Sequence, residues 1–311
     1  MIRCWLATII IGALLSVACA ANAETITDLK ARLDKVAKDF NGTLGYSLHL
    51  RGKPSESISL NGDEPFPTAS TIKTVIMCEV MRQVEQGKIK WSDMIEVQPS
   101  SNVREEGGFA YHFRDGTKQT VDQWVHLMMT VSDNTATIRL RRLVGHKNVN
   151  DWLSEHGFKQ TKLLNGEQTD ELGLRPLQKQ YGLGVTTPNE MAKLMEMIRS
   201  NKAGSALYCD RMIRIMFHQH YDDGVAGQVP PGQCASKGGG IWNTRSDVAL
   251  VISPKGEFVL TIYTKDQADK DWNKNNEGNV VIRKIAAMVW RYFDPDKTWT
   301  TPDKYMDLIN D

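Results

Sequence analysis

Leu29, Leu33, Val36 and Phe40 recur at helical spacing, which predicts an amphipathic helix capped by Thr27 or Asp28. The period then drops to two. Leu44, Tyr46, Leu48 and Leu50 alternate as in a half-buried strand, and Ile58 and Leu60 supply a partner before the turn signal Asn61-Gly62-Asp63. A strong helical pattern covers residues 70–86 and stops at Gly87. Further helical patterns fall at about 120–130, 133–144, 147–156, 188–200 and 205–219. Strand patterns return at about 232–238, 247–253 and 257–264, and a last helix, about 277–293, ends before Pro295.

Strands near both ends and helices between them predict an α/β (α+β) two-lobed fold. One antiparallel sheet, flanked by the terminal helices, takes residues 24–67 and 210–295; residues 68–209 form an inserted all-α domain. Gly- and Asn-rich 271–279 reads as a loop, and 296–311 as a surface tail.

Composition changes this picture at the N-terminus. Arg3 is the only charge before an apolar run from Leu6 to Ala20, and Ala21-Asn22-Ala23 fits a cleavage site. Residues 1–23 therefore read as a signal peptide, and the expected location is periplasmic or secreted; an uncleaved anchor and a lipoprotein form on Cys19 are the alternatives. Cleavage leaves Cys78, Cys209 and Cys234. Export permits a Cys209–Cys234 disulfide, and three unpaired thiols are the equal alternative. With 38 Lys+Arg against 37 Asp+Glu among 311 residues, no electrostatic footprint for nucleic acid or an anionic membrane is present. A monomer is expected, without stable membrane insertion.

The candidate chemistry lies in three short motifs in order: Ser70-Thr71-Ile72-Lys73 at a helix start, Ser132-Asp133-Asn134 between two helices, and Lys237-Gly238-Gly239 on a strand. A serine at a helix N-terminus sits at the positive end of the dipole, and its own N–H can hold an oxyanion. Lys73 is one turn further on the same face, and a buried lysine near other cations loses basicity enough to act as a base. Ser132 is placed to relay a proton to a leaving nitrogen. Asn134 offers an amide to a substrate carbonyl and to Lys73. Lys237 adds positive charge, an amide substrate can lie along residues 237–241, and Gly240 N–H is a second oxyanion donor.

The set resembles the class A β-lactamases and the wider penicillin-recognising serine hydrolases, over about residues 26–293. Phe66-Pro67-Thr68-Ala69 before Ser70 and Gly184-Val185-Thr186-Thr187-Pro188 before a helix agree with it. The resemblance implies a serine β-lactamase-like fold with an Ω-like loop near 161–187, and opening of the β-lactam ring through an acyl-enzyme on Ser70. It implies no metal or organic cofactor. On the Ω-loop the family carries a glutamate that activates the deacylating water. Glu167 is the expected equivalent, Glu171 the alternative, and no true equivalent a third reading. The sequence departs from the pattern twice. Gly238 replaces a hydroxyl residue that holds the substrate carboxylate, a role for which Thr244 and Arg245 are candidates beside Lys237; Gly239 is a further substrate-binding candidate. The family's Ω-loop asparagine is replaced by Glu171.

Alternative functions with the same Ser–Lys centre are a D,D-peptidase or penicillin-binding protein, an esterase-like hydrolase, and a penicillin-sensing module without turnover. A zinc hydrolase reading rests only on His218-Gln219-His220-Tyr221-Asp222 at a helix end, without further ligand spacing. Trp242, just past the glycines, either borders the substrate or is an exposed hairpin residue.

Overall fold

The computed structural model describes residues 24–97, 109–114, 116–296 and 299–300. The expected signal peptide lies outside them, as does nearly all of the tail. The first helix, α1 (Ile26–Lys38), is capped by Thr25: its hydroxyl accepts from the Asp28 amide while the Asp28 carboxylate accepts from the Thr25 amide. Asp28 is thus the reciprocal residue of a capping box one turn inside the helix.

Five strands form the main sheet: β1 (Thr43–Leu50), β2 (Ile58–Leu60), β8 (Cys234–Ile241), β9 (Thr244–Ser253) and β10 (Gly256–Lys265). Their order is β2-β1-β10-β9-β8, antiparallel throughout, so β8 is an edge strand. Between β2 and β8 come β3 (Phe66–Pro67), a 3-10 turn (Ala69–Ile72), α2 (Lys73–Glu85), β4 (Met94–Glu96), β5 (Lys118–Thr120), α3 (Val121–Thr130), α4 (Asn134–Val144) and α5 (His146–Glu155). Next are β6 (Lys162–Leu163), α6 (Arg175–Tyr181), β7 (Gly184–Thr186), α7 (Pro188–Arg199) and α8 (Ala206–Phe217); α9 (Glu277–Phe293) closes the chain. The small sheet β3-β7-β6 and the ribbon β4-β5 were not signalled by periodicity, because strands of two or three residues carry no readable period.

The main sheet separates two apolar cores. On one face, Leu29 and Leu33 of α1 and Ile282, Ile285, Val289 and Phe293 of α9 pack on Tyr46, Leu48, Ala249, Leu260 and Ile262. On the other, Ala235, Val248, Leu250, Val259 and Tyr263 pack beneath the helical layer, where Met77, Trp124, Leu140, Trp152, Met191 and Met212 are buried. Strand alternation produces this division, since Val248 and Ala249 face opposite cores. The limit expected at 209/210 falls inside α8, whose Cys209, Met212, Ile215 and Met216 all join the helical core.

Candidate active site

Ser70 sits in the 3-10 turn that leads directly into α2. Ala69 before it has φ +46°, and Ser132 has φ +56°. Non-glycine residues in this left-handed region cost about 1–2 kcal/mol each and persist only where their surroundings hold them. Thr71 Oγ1 donates to the Thr68 carbonyl at 2.7 Å and meets the Tyr263 hydroxyl at 2.9 Å. Asp133 caps α4 by accepting from Ala136 N and also accepts from Ala110 N, both at 2.8 Å. The two motif turns are therefore tied to β10 and to the loop before β5.

Two amines converge on Ser132. Lys73 is fully buried; its Nζ donates to the Ser132 carbonyl, to Ser132 Oγ at 3.0 Å and to Asn134 Oδ1 at 2.8 Å. Lys237 Nζ donates to the same Ser132 Oγ at 3.0 Å and to the Gly238 carbonyl at 2.7 Å. Burial, reinforced by the Lys237 charge and opposed by Asp133, holds the Lys73 amine well below its ordinary value. Burial likewise lowers Lys237, to about 8, against the pull of Asp247 and Asp223. A neutral Lys73 can take a proton; a cationic Lys237 can hold an anion.

Ser70, Ser132, Asn134, Lys237, Gly239, Gly240 and Arg245 line one cavity of about 460 Å³. Edge strand β8 forms one wall. A Cβ on Gly239 would lie 2.8 Å from Ser70 N and 3.1 Å from Ala69 Cβ, so glycine permits the strand to approach the turn. A Cβ on Gly238 would meet only the Ser246 carbonyl, at 3.9 Å. The hydroxyl missing from the third motif is therefore not excluded by space.

Other candidates lie elsewhere. Glu167 does not join the cavity: its carboxylate accepts from Arg141 Nη2 and Arg142 Nε, both at 2.8 Å, and from Arg141 Nε at 3.2 Å. Partial burial pushes its carboxyl up, but the Arg141 and Arg142 hydrogen bonds outweigh this and hold it at about 2. Such a carboxylate is a weak base. Glu171 is exposed and accepts from Gln168 at 3.3 Å. Thr244 is buried at the start of β9 and does not line the cavity. Arg245 does, yet its Nη atoms donate to the carbonyls of Trp242, Thr244 and Asp271. Much of its hydrogen-bonding capacity is spent on backbone.

Trp242 stands at φ +38° on the β8–β9 turn, 65% exposed, outside the cavity lining. The aromatics that line the cavity are Tyr221 and Trp272, and the Arg245 guanidinium lies over the Trp272 ring at 4.8 Å. Cys209 and Cys234 are free and buried, as is Cys78, so the bridge weighed from the sequence is absent among the described residues. No group of three or more metal-ligating side chains occurs among them, the 218–222 segment included.

Sequence reasoning missed Ser246, Asp247, Asp223 and Lys274, which also line the cavity. The two-residue turn at Trp242-Asn243 could have found the first two. It sets Ile241 against Thr244, and hence Gly239 against Ser246 and Gly238 against Asp247.

This fold and this convergence of two serines and two lysines define a class, the penicillin-recognising serine hydrolases with a class A β-lactamase fold. More narrowly, the chain belongs to the β-lactamase enzyme family, which matches residues 28–293. It is 24% identical over 292 residues to β-lactamase VEB-1 of Pseudomonas aeruginosa, covering 88% of this chain and 92% of that protein. It is 27% identical over 282 residues to β-lactamase CARB-4 of the same organism, covering 88% and 93%. Among solved structures, a β-lactamase from Sphaerobacter thermophilus aligns with TM-score 0.72 at 24% identity, over 87% of this chain and 97% of that one. A mutant of PBP-A, described as an acyl-enzyme complex with penicillin G, aligns with TM-score 0.74 at 24% identity, over 88% and 98%.

Proposed function

We propose that this serine hydrolase of the β-lactamase family is acylated at Ser70 by β-lactams, and that acylation outpaces release. Ser70 Oγ attacks the lactam carbonyl while its proton passes to Lys73 Nζ. Ser70 N–H and Gly240 N–H hold the oxyanion. As the C–N bond breaks, Ser132 Oγ gives its proton to the lactam nitrogen and is reprotonated from Lys73. Asn134 orients the substrate amide, and Lys237 meets the substrate carboxylate. The observation that carries this reading is the pair of amines on Ser132 Oγ, both at 3.0 Å, in the cavity that exposes Ser70.

Slow release is supported by the engagement of Glu167 with Arg141 and Arg142. It brings a D,D-peptidase or penicillin-binding protein, and a sensing module, close to the lactamase reading. The esterase-like reading is the remaining alternative with this centre. The N-terminal pattern supports export to the periplasm or beyond, and the balanced charge argues against nucleic acid or an anionic membrane as a partner.

Intact mass during incubation with excess benzylpenicillin, beside a chromogenic cephalosporin assay, tests the proposal. An adduct on Ser70 that persists while hydrolysis is slow is the expected outcome. Steady hydrolysis without accumulated adduct would show that another group activates water. Neither adduct nor hydrolysis would sink the β-lactam reading and leave simple esters to be tried.

A further inference from the structure

Asp247 lies on β9 opposite Gly238, the residue after Lys237, and lines the Ser70 cavity. It is 4% exposed. Its Oδ2 accepts from the Val225 amide at 2.8 Å, whereas Oδ1 has no hydrogen-bond partner. Gly224 crowds Oδ2: a Cβ there would overlap it, so the carboxyl is fixed on that side by backbone. An ionised carboxylate with a bare buried oxygen is costly, and the Val225 and Val248 amides, which favour the charged form, offset that cost only in part.

The titratable and charged groups around it come from every neighbouring element. Lys237 and Cys234 stand on β8, Tyr263 on β10, and Asp223 precedes the turn that carries Val225. From α9, the Arg283 guanidinium donates to the carbonyls of Asp223 and Lys274. Lys274 and Arg245 line the same cavity. Asp223 disfavours the ionised Asp247 and Lys237 favours it.

We propose that Asp247 is a specificity-determining residue: an anionic substrate group seats beside Lys237 together with one proton, taken from solvent onto Asp247 Oδ1. This rests on the acyl-donor reading of the cavity. With Asp247 ionised, its charge cancels that of Lys237 and an anion gains little by entering; with Asp247 protonated, Lys237 stands uncompensated. Burial raises Asp247 to about 7 and lowers Lys237 to about 8, which puts the exchange in the neutral range. The pair titrates together, so the proton count belongs to both groups. Asparagine at 247 mimics the protonated acid, and the cavity then carries at least as much positive charge as the native one at any pH.

The test compares Ser70 acylation by benzylpenicillin and by its uncharged methyl ester, in native protein and in Asp247→Asn, at pH 6 and pH 8. The anion-to-ester ratio of acylation rates divides out any change in the chemical step. At pH 8 the substitution should raise that ratio about three- to tenfold, with little change at pH 6. An unchanged or lowered ratio at pH 8 overturns the proposal; a lowered one would mean that Asp247 acts only by keeping Lys237 protonated. A second measurement needs no change at 247. Benzylpenicillin mixed with Ser70→Ala protein in weak buffer at pH 7.5 should draw protons from solution, and the ester should not; absence of uptake overturns the proposal. If native protein is labelled by neither compound, the acyl-donor reading itself has failed and the proposal falls with it.

Discussion

At the residue scale, the site depends on a few side chains taken out of water. Lys73 is the clearest: burial and Lys237 lower its amine, so Lys73→Met should cut the acylation rate by about 10²–10⁴-fold in a single-turnover mass experiment. Glu167 is the contrary case. Glu167→Gln should change deacylation by less than about threefold, because its carboxylate is spent on two arginines. It should lower the melting temperature by about 1–3 °C, the scale of a half-exposed ion pair in a chain of this size. Its native carboxyl is depressed to about 2, so its contribution is complete above about 4.5 and fades as pH falls towards 2. Asp247 has the opposite sign. Its carboxyl is raised from 3.8 to about 7, so the folded state binds the extra proton and loses stability as pH rises between those values. Asp247→Asn should therefore melt higher than native protein at pH 8, with the gap narrowing towards pH 4 in calorimetry.

At the element scale, β8 and the 3-10 turn meet through Gly239. Gly239→Ala would press a methyl group on Ser70 N and Ala69 Cβ, part the strand from the turn and destabilise by about 1–3 kcal/mol, visible as a lower melting temperature with loss of labelling at Ser70. Gly238→Thr has open space and replaces a flexible strand residue with a β-branched one. It should raise stability by about 0.5–1 kcal/mol in denaturant unfolding and strengthen labelling by carboxylated β-lactams. These elements were largely legible in the sequence. The helix patterns at 120–130, 133–144, 188–200 and 277–293 became α3, α4, α7 and α9 with ends shifted by one residue or less. The strands read at 232–238 and 247–253 extend three residues further towards their shared turn, because glycines and the Thr244–Ser246 run carry no apolar alternation. The three motifs were legible because each is local. The ion pairs of Glu167 were not legible, because its spacing from Thr161 is a local property, whereas its partners Arg141 and Arg142 lie on another element. Asp247 was missed because only cross-strand register brings it to the cavity.

At the scale of the whole molecule, two apolar cores share one sheet, and the cavity opens where the helical layer meets the edge strand. Trp124 and Trp152 anchor one core, and Phe258 stacks on Phe293 in the other at 4.4 Å between rings. All three cysteines of the described residues are free and buried, so covalent cross-links add nothing to these cores. Dithiothreitol should leave the melting temperature unchanged; a fall would reveal a bridge. No helix among the described residues is long and apolar enough to cross a membrane.

The pairing of β1 with β10 sets a timetable for the newborn chain. Thr43 meets Lys265, 222 residues later, so β1 has no partner on that side until the whole helical layer has been synthesised. At ribosomal speeds that interval is about 10–40 s, much longer than a helix or hairpin needs to form. During it, β1 has only the three residues of β2 as a strand partner, with α1 as cover for Leu44, Tyr46, Leu48 and Leu50 on one face. The central sheet thus closes only after the helical layer has been made, with α9 still to follow, and a chain moved across a membrane before residue 265 emerges would travel without it.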